Sequence, residues 1–190
     1  MNHFFAYINR MRFIQRWALM RNSYSENIQE HSHQVAVLAH ALAVIRNRYF
    51  GGQVDAGAVA AAALYHDAAE ILTGDMPTPI KYYNPEIRDA YKKVERVAEK
   101  KLLAMLPTEL QPDYDELLHP VDEEIETLVK AADKLAAHIK CLEELKAGND
   151  EFGRAAEQTA AALREMALPE VAYFTEHFLP SFRLTLDELE

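Results

Sequence analysis

The apolar residues of this chain recur at helical spacing along nearly its whole length. Runs in which apolar and polar residues alternate are absent from the sequence, so strands are not expected. The pattern therefore predicts an all-α fold, an orthogonal helical bundle. After Asn27, positions three or four apart form one such stripe: Ile28, His31, Val35, Leu38 and Leu42.

Capping residues indicate where the predicted helices begin and end. An amphipathic segment opens the chain. Asn27 with Glu30 three residues later resembles a capping box, and the helix that it opens is predicted to run to Gly51 and Gly52. Asp55 is the next predicted N-cap, and Gly74 ends that helix.

The second half of the chain continues the helical pattern after a proline-bearing loop, "GDMPTPIKYYN". Asn84 and Pro85 form an N-cap and first-turn pair that opens a helix to about Leu106. An irregular segment is expected at 107–120. A long helix from about Asp122 to Ala147 and two shorter helices follow, at roughly 150–166 and 169–179.

Composition favours one compact domain in the cytoplasm. The chain has 190 residues, 49% of them hydrophobic, with a single cysteine and no Ser/Gly linker or internal repeat. The N-terminal segment is interrupted by arginines and lacks the apolar core of a signal peptide, and no apolar run reaches membrane-spanning length. We therefore expect a soluble, cytoplasmic protein with no membrane partner and one domain over residues 1–190.

The net charge of −10 argues against binding of polymeric nucleic acid. Charge is nevertheless uneven, because four arginines precede the first carboxylate, Glu26. That positive segment is suited to one small anion, or is simply a solvated helix face. Both interpretations stay open at this point.

The stretch "ALYHDAAEILTGD" brings ionisable groups to the end of an apolar helix. A helix that is apolar on every side is a central one, and His66 and Glu70 share its face with Val59, Ala62 and Ala63. Buried charges are costly unless they are paired, hydrogen-bonded or bound to a metal. A satisfied buried ion pair is the common explanation for one such residue, but His66, Asp67 and Glu70 together weaken it.

Two other helices supply what a metal site needs. His31 lies on the apolar stripe of its helix, and Asp133 lies beside an apolar stripe of the long helix near Val129 and Ala136. Two imidazoles and two carboxylates suit cobalt, manganese, iron or zinc better than calcium. His33 and His40 fall off the His31 stripe and are interpreted as structural or surface residues. The spacing of the other four histidines implicates none of them.

The order His31, then His66 with Asp67, then Asp133 resembles the ligand set of the HD-domain metal-dependent phosphohydrolases. A closer resemblance is to the bacterial 5'-deoxynucleotidases of the YfbR type, over almost the whole chain. The segments that carry it are "NRMRFIQRWALMRN", "ENIQEHSHQVAVLAHALAVIRNRYFGG", "YHDAAEILTGDMPTPIKYYN" and "KCLEELKAGNDEF".

That resemblance implies hydrolysis of deoxyribonucleoside 5'-monophosphates to a deoxynucleoside and phosphate, by a homodimer with one HD domain whose metal-binding core spans about 27–147. The cofactor would be one divalent metal ion, with cobalt or manganese favoured. By position, the implied metal ligands are His31, His66, Asp67 and Asp133. Glu70 and Arg16 would be catalytic. The implied substrate contacts are Arg16, Trp17, His31, Asp75, Met76, Pro77 and Thr78.

Alternatives stay open for several of these residues. Glu70 would either orient the water or transfer a proton. Trp17 would either face substrate or pack in the core, and Asp75 would either bind the sugar or be an exposed turn residue. The segment 107–121 departs from the family pattern, which concerns rim contacts and the dimer. Two other functions compete with this one. The protein could hydrolyse another nucleotide phosphoester, or it could be a non-enzymatic metal-bound module. The second alternative gives Glu70 and Arg16 no role.

Overall fold

A computed structural model describes residues 1–81 and 83–189, apart from the side chain of Thr78. These residues contain no β-strand, only an isolated antiparallel bridge between Gln15 and Asn27. The predicted all-α class is confirmed. The helices are α1 (Phe4–Ile8), α2 (Ile28–Tyr49), α3 (Ala56–Tyr65), α4 (Glu70–Thr73), α5 (Thr78–Lys81), α6 (Pro85–Leu103), α7 (Gln111–Leu118), α8 (Glu123–Lys146), α9 (Gly153–Glu165) and α10 (Pro169–His177).

The predicted N-caps are confirmed. The Asn27 side chain accepts from the backbone N–H groups of Gln29 and Glu30, and the Glu30 side chain accepts from the Asn27 N–H, which completes the capping box. Asp55 accepts from two N–H groups in the first turn of α3. Asn84 and Asp122 cap α6 and α8 in the same way. Short polar side chains at these positions satisfy donors that a helix leaves without a partner.

The main core lies between α2, α3 and α8, with α10 covering α2 and α9 covering α8. Apolar side chains of the three central helices are excluded from solvent: Val35, Leu42, Val59, Leu128, Leu135 and Ile139. A second cluster packs α1 against α6 and contains Phe4 and Leu102. The first turn of α2, the end of α3 and the middle of α8 therefore form rigid walls around one place.

The helix predicted from Asp55 to Gly74 is interrupted. α3 ends at Tyr65 and α4 begins at Glu70. Between them, backbone N–H groups bond carbonyls three residues back, as in Ala68 to Tyr65 and Glu70 to Asp67. This tighter winding is the 3₁₀ type, which often occurs inside helices at functional sites. The interruption coincides with the His66–Asp67 pair.

The expectation that residues 107–120 are irregular is wrong for most of that segment, because α7 occupies Gln111–Leu118. Pro112 stands in its first turn, where the missing N–H is tolerated. Tyr114 of α7 lies edge-on to Phe4, with ring centroids 5.0 Å apart. The short helix is therefore fixed by packing against a sequence-distant partner. None of the described helices has the length and apolar character that crossing a bilayer requires.

Candidate active site

Four side chains from three parts of the fold meet at one point. His31 of α2 is fully buried, and its Nε2 lies 3.0 Å from Asp133 Oδ1 of α8 and 3.6 Å from Asp67 Oδ2. His66 Nε2 lies 3.2 Å from the same Asp67 oxygen. One ligand atom each from His31, His66 and Asp133 lie within 4.8 Å of one another. The structure thus brings together all four residues implied as metal ligands.

The geometry of this cluster fits a shared divalent ion. Bond lengths of about 2.0 to 2.2 Å place neighbouring ligand atoms roughly 3 to 3.5 Å apart around a common centre. His66 Nε2 is close to Asp67 but has no hydrogen-bond partner among the described residues, and it is buried. Such an unsatisfied nitrogen would be costly without a bound species. His31, His66 and Asp133 can therefore act as ligands to one ion, and Asp67 lies against both imidazoles.

His66 is held in the orientation that ligation needs. Its Nδ1 lies 2.7 Å from the Ala63 carbonyl oxygen, which can only accept, so Nδ1 carries the proton and Nε2 faces the cluster. Burial lowers the pKa of His66, but the charge and hydrogen bonding of Asp67, the charge of Asp133 and the Ala63 carbonyl together outweigh burial and raise the pKa to about 9. Burial likewise opposes ionisation of Asp67, yet the positive charges of His66, His31 and Arg16 hold its pKa far below the usual range.

Arg16 reaches this cluster from the segment before α2. Its Nη1 donates to Asp67 Oδ2 across 3.3 Å, and only 13% of the side chain is exposed. Burial lowers the pKa of Arg16, but Asp67, Asp133 and Glu26 together raise it, so the guanidinium stays charged. A planar fork of donors beside a metal site is suited to phosphate oxygens.

Trp17, next to Arg16, is partly buried and has a left-handed backbone, with φ of 58°. Its ring lies against Phe152, with centroids 5.3 Å apart, and its Nε1 donates to Glu26 Oε2 across 3.0 Å. The Trp17 ring therefore packs against Phe152, and its N–H is hydrogen-bonded to Glu26. In the sequence, Glu26 stood out only as the first carboxylate, so the contact was not foreseen.

Glu70 is buried, with 6% of its surface exposed, and its Oε2 has no hydrogen-bond partner among the described residues. Burial, with repulsion from Asp67 and Asp75, raises the pKa of Glu70 to about 10 against the opposing charges of Arg16 and Lys81. A protonated carboxyl in such a cluster can donate a proton.

Asp75 lies in the loop between α4 and α5. It is partly buried, and burial and Asp67 raise its pKa, while Arg16, the Trp17 backbone N–H and His31 lower it. Asp75 is therefore within electrostatic reach of Arg16 and Asp67. Met76 and Pro77 follow it in the loop and are partly buried, whereas the side chain of Thr78 lies outside the described residues.

A buried tyrosine of α6 fixes the start of this loop. Gly74 has φ of 76°, which favours glycine, and its carbonyl accepts from the Tyr91 hydroxyl across 3.3 Å. Thr73 Oγ1 lies 3.2 Å from the same hydroxyl. Sequence periodicity does not reveal this role, because Tyr91 reads as an ordinary core position of an amphipathic helix.

A buried ion pair on α8 anchors the segment that follows Arg16 and Trp17. The Glu144 carboxylate is fully buried and accepts from Lys140 Nζ, from the Ser23 backbone N–H at 2.8 Å and from Asn149 Nδ2 at 2.8 Å. Lys140 also donates to the Tyr24 carbonyl oxygen across 2.7 Å. The loop is thus tied to the helix that carries Asp133.

Protonation of Glu144 should lower the free energy of unfolding at acidic pH. Burial opposes its ionisation, but the bonds from Lys140, Asn149 and Ser23 outweigh burial and lower its pKa to about 2. Because the folded pKa is lower than the unfolded one, this stabilisation is complete above about pH 4.5 and is lost as the pH falls toward 2. Glu144→Gln should therefore lower the free energy of unfolding by about 2 to 4 kcal/mol at pH 7.

Denaturant unfolding of wild type and Glu144→Gln at pH 7, 5, 4 and 3 measures this difference. The gap between the two proteins should narrow as the pH falls. Glu143→Gln is the matched control, because it removes the neighbouring, less buried carboxylate of α8. A gap that is the same at every pH would show that the Glu144 charge does not anchor the loop.

The histidines outside the cluster differ in placement. His33 and His40, interpreted from the sequence as structural or surface residues, are exposed on α2. His3, His119 and His177 are also exposed. His138 is buried, and its Nδ1 lies 2.9 Å from Thr159 Oγ1.

Comparison with solved structures identifies the class. An HD-domain phosphohydrolase from Listeria innocua superposes with a TM-score of 0.83 at 25% identity, covering 95% of this chain and 88% of that one. The cyanophage S-2L HD phosphohydrolase DatZ, solved bound to dA and one catalytic Zn²⁺ ion, shares the fold with a TM-score of 0.64 at 24% identity, covering 93% and 96%. The helical fold and its likeness to the Listeria protein place this chain among the HD-domain phosphohydrolases.

Within that class, sequence comparison gives the family. A model of the YfbR-like 5'-deoxynucleotidases matches residues 3–182. A 5'-deoxynucleotidase from Vibrio vulnificus is 54% identical over 190 residues, covering 99% of this chain and 98% of that protein. The chain belongs to the YfbR-like 5'-deoxynucleotidase family, and the resemblance inferred from its motifs is confirmed.

Proposed function

We propose that this protein is a metal-dependent 5'-deoxynucleotidase that hydrolyses deoxyribonucleoside 5'-monophosphates to a deoxynucleoside and orthophosphate. The observation that carries the proposal is the convergence of His31, His66, Asp67 and Asp133 beside Arg16 in a chain of the YfbR-like family. A phosphomonoesterase needs metal ligands and a cation for the phosphate close together, and this cluster with Arg16 would supply both.

The four ligand side chains would hold one divalent ion, with Nε2 of both histidines directed at it. When bound, such an ion provides an activated water at neutral pH and offsets phosphate charge. Asp133 is the most open of the four, with 37% of its side chain exposed, which leaves one side of the cluster accessible to substrate. Cobalt or manganese is the ion we propose, since the nitrogen and oxygen donors suit a transition metal.

Arg16 would bind the phosphate oxygens through its guanidinium, which already lies beside Asp67. Its charge compensates the negative charge of the phosphoryl group as the bond to the leaving oxygen breaks. Trp17 and His31 are proposed to line the phosphate end of the substrate. Asp75, with Met76, Pro77 and Thr78 after it, is proposed to bind the sugar.

Glu70 would supply the proton that the leaving 5'-alkoxide requires. Its carboxyl is buried and holds its proton in the metal-free protein, because its pKa is raised to about 10. Orientation of the attacking water is the other role open to the same group.

We also propose the domain organisation, the assembly and the cellular compartment. A single HD domain over residues 1–190, with a metal-binding core at about 27–147, agrees with the contacts that join α2, α3 and α8. We propose a homodimer in the cytoplasm, and size-exclusion chromatography with light scattering would measure the assembly. The departure of 107–121 from the family pattern concerns the rim, where α7 packs against α1.

Release of phosphate from a panel of nucleotides, with several metals, tests the proposed function. The panel contains deoxyribonucleoside and ribonucleoside 5'-monophosphates, a cyclic nucleotide and a nucleoside triphosphate. Hydrolysis should be restricted to the deoxyribonucleoside 5'-monophosphates. Preferential hydrolysis of the cyclic nucleotide or the triphosphate would replace the deoxynucleotidase with another nucleotide phosphohydrolase, and absence of hydrolysis would favour a metal-bound module.

The same panel tests the sugar contact of Asp75. Asp75→Asn keeps an oxygen acceptor for the sugar hydroxyl but loses the charge that strengthens the bond, so it should lower kcat/KM for deoxyadenosine monophosphate by roughly three- to tenfold. It should also narrow the preference for the deoxyribonucleotide over its ribonucleotide counterpart. Asp89→Asn, at an exposed position of α6, is the control. An unchanged ratio in Asp75→Asn would remove Asp75 from sugar selection.

A further inference from the structure

Glu26 lies just before α2 and pairs with the segment that carries Arg16. The Arg16 backbone N–H donates to the Glu26 carbonyl oxygen across 2.9 Å, and the Ile28 N–H donates to the Ile14 carbonyl oxygen across 3.0 Å. These bonds surround the antiparallel bridge between Gln15 and Asn27. The two segments are therefore held in one register, and Glu26 stands opposite Arg16.

One oxygen of the Glu26 side chain binds two candidate site residues. Its Oε2 accepts from Arg16 Nε across 3.1 Å and from Trp17 Nε1 across 3.0 Å. Only 12% of the side chain is exposed. A carboxylate that is largely removed from water makes strong bonds to a guanidinium, and it restricts that side chain to one orientation.

The orientation that results has a chemical consequence. With Nε bound to Glu26, Nη1 of Arg16 is directed at Asp67, 3.3 Å away. Arginine has a long, flexible side chain, so an arginine ordered before substrate arrives loses less conformational entropy on binding. The Trp17 ring is fixed by the same oxygen and by Phe152.

We propose that Glu26 is a positioning residue: through one carboxylate oxygen it orders Arg16 and Trp17 for the phosphate of the substrate. The inference rests on the proposed function, because it takes Arg16 as the phosphate ligand. Glu26 itself would touch neither the phosphate nor the ion ligands. It would act only through Arg16 and Trp17.

The test compares Glu26→Gln and Glu26→Ala with Glu157→Gln, which removes an exposed carboxylate of α9. Trp17 is the only tryptophan in the chain, so emission of the metal-free protein reports on it alone when the excitation wavelength is one that the nine tyrosines do not absorb. Metal content, kcat, KM and inhibition by inorganic phosphate are measured on the loaded proteins. Fluorescence gives a readout that does not depend on turnover.

Glu26→Ala should shift Trp17 emission and lower kcat/KM by roughly ten- to a hundredfold, mainly through KM, with inhibition by phosphate weakened to a similar degree. Glu26→Gln keeps an oxygen acceptor but loses the charge, so its loss should be smaller, roughly three- to tenfold. Metal content and the Glu157→Gln control should match wild type.

Wild-type emission, KM and phosphate inhibition in a folded Glu26→Gln protein would overturn the inference, and this variant decides the matter if Glu26→Ala does not fold. Loss of bound metal in parallel with loss of activity would overturn it as well, because Glu26 would then act on the ligand cluster. If wild type lacks deoxynucleotidase activity, the proposed function is contradicted but the role of Glu26 is not. Trp17 emission and phosphate binding would then still test that role.

Discussion

Asp133→Asn is expected to remove most of the bound metal and to lower kcat/KM by at least about 10³-fold. The Asp133 carboxylate lies 3.0 Å from His31 Nε2 and is one of four groups that converge. Loss of a bound ion forfeits several kcal/mol of stabilisation in the transition state, and each 1.36 kcal/mol corresponds to about tenfold in rate. Metal analysis and steady-state kinetics on the same preparation measure both effects.

Chelation of the wild-type protein should give the same loss, and addition of cobalt or manganese should restore activity. The melting temperature should rise on loading with metal, because a ligand that binds only the folded state stabilises it. His31→Asn and His33→Asn form a matched pair on α2, since the first imidazole is buried in the cluster and the second is exposed. Activity that survives thorough chelation, or full metal content in Asp133→Asn, would contradict the proposed metal site.

Glu70→Gln is expected to retain the metal and to lower kcat by roughly 10²- to 10⁴-fold, the range for loss of an acid or base. The same substitution should raise the melting temperature of the metal-free protein at neutral pH. The folded pKa of about 10 lies above the unfolded value, so the folded state binds a proton that the unfolded state has released above about pH 4.5. Stability therefore falls as the pH rises from about 4.5 to 10, and glutamine removes that dependence.

Thermal unfolding at pH 5, 7 and 9 and kinetics at saturating substrate measure these two effects. Glu86→Gln, at an exposed position in the first turn of α6, is the control. A Glu70→Gln protein with nearly wild-type kcat would reduce Glu70 to a structural carboxyl. If wild type and Glu70→Gln have the same melting temperature as each other at each of the three pH values, Glu70 is not protonated in the folded protein.

The features that could be predicted from sequence are those that depend on neighbours in the chain. The Asn27 capping box and the Asp55 cap follow from residues two or three positions away. Helical spacing likewise placed His31 on the buried face of α2. The convergence of His31, His66, Asp67 and Asp133 was expected from their faces and from the family resemblance, and the structure brings them together.

The features that were missed depend on contacts between segments distant in sequence. Glu144 anchors a loop more than a hundred residues earlier, and no local pattern distinguishes it from a solvated glutamate. Tyr91 fixes the Gly74 carbonyl from another helix, and α7 is held by contact with Phe4. The tighter winding between Tyr65 and Glu70 was missed as well, because His66 and Ala69 keep helical dihedral angles and the apolar pattern continues across the segment.

At Trp17, selection for stability and selection for activity should favour different residues, because the backbone there is left-handed. A non-glycine residue in this conformation costs about 1 to 2 kcal/mol, which glycine would avoid. Glycine, however, would remove the ring that contacts Phe152 and the indole N–H that donates to Glu26. A library randomised at position 17 and selected for backbone tolerance would favour glycine or asparagine, whereas selection for turnover would return tryptophan. Engineering for thermostability should therefore leave this codon fixed.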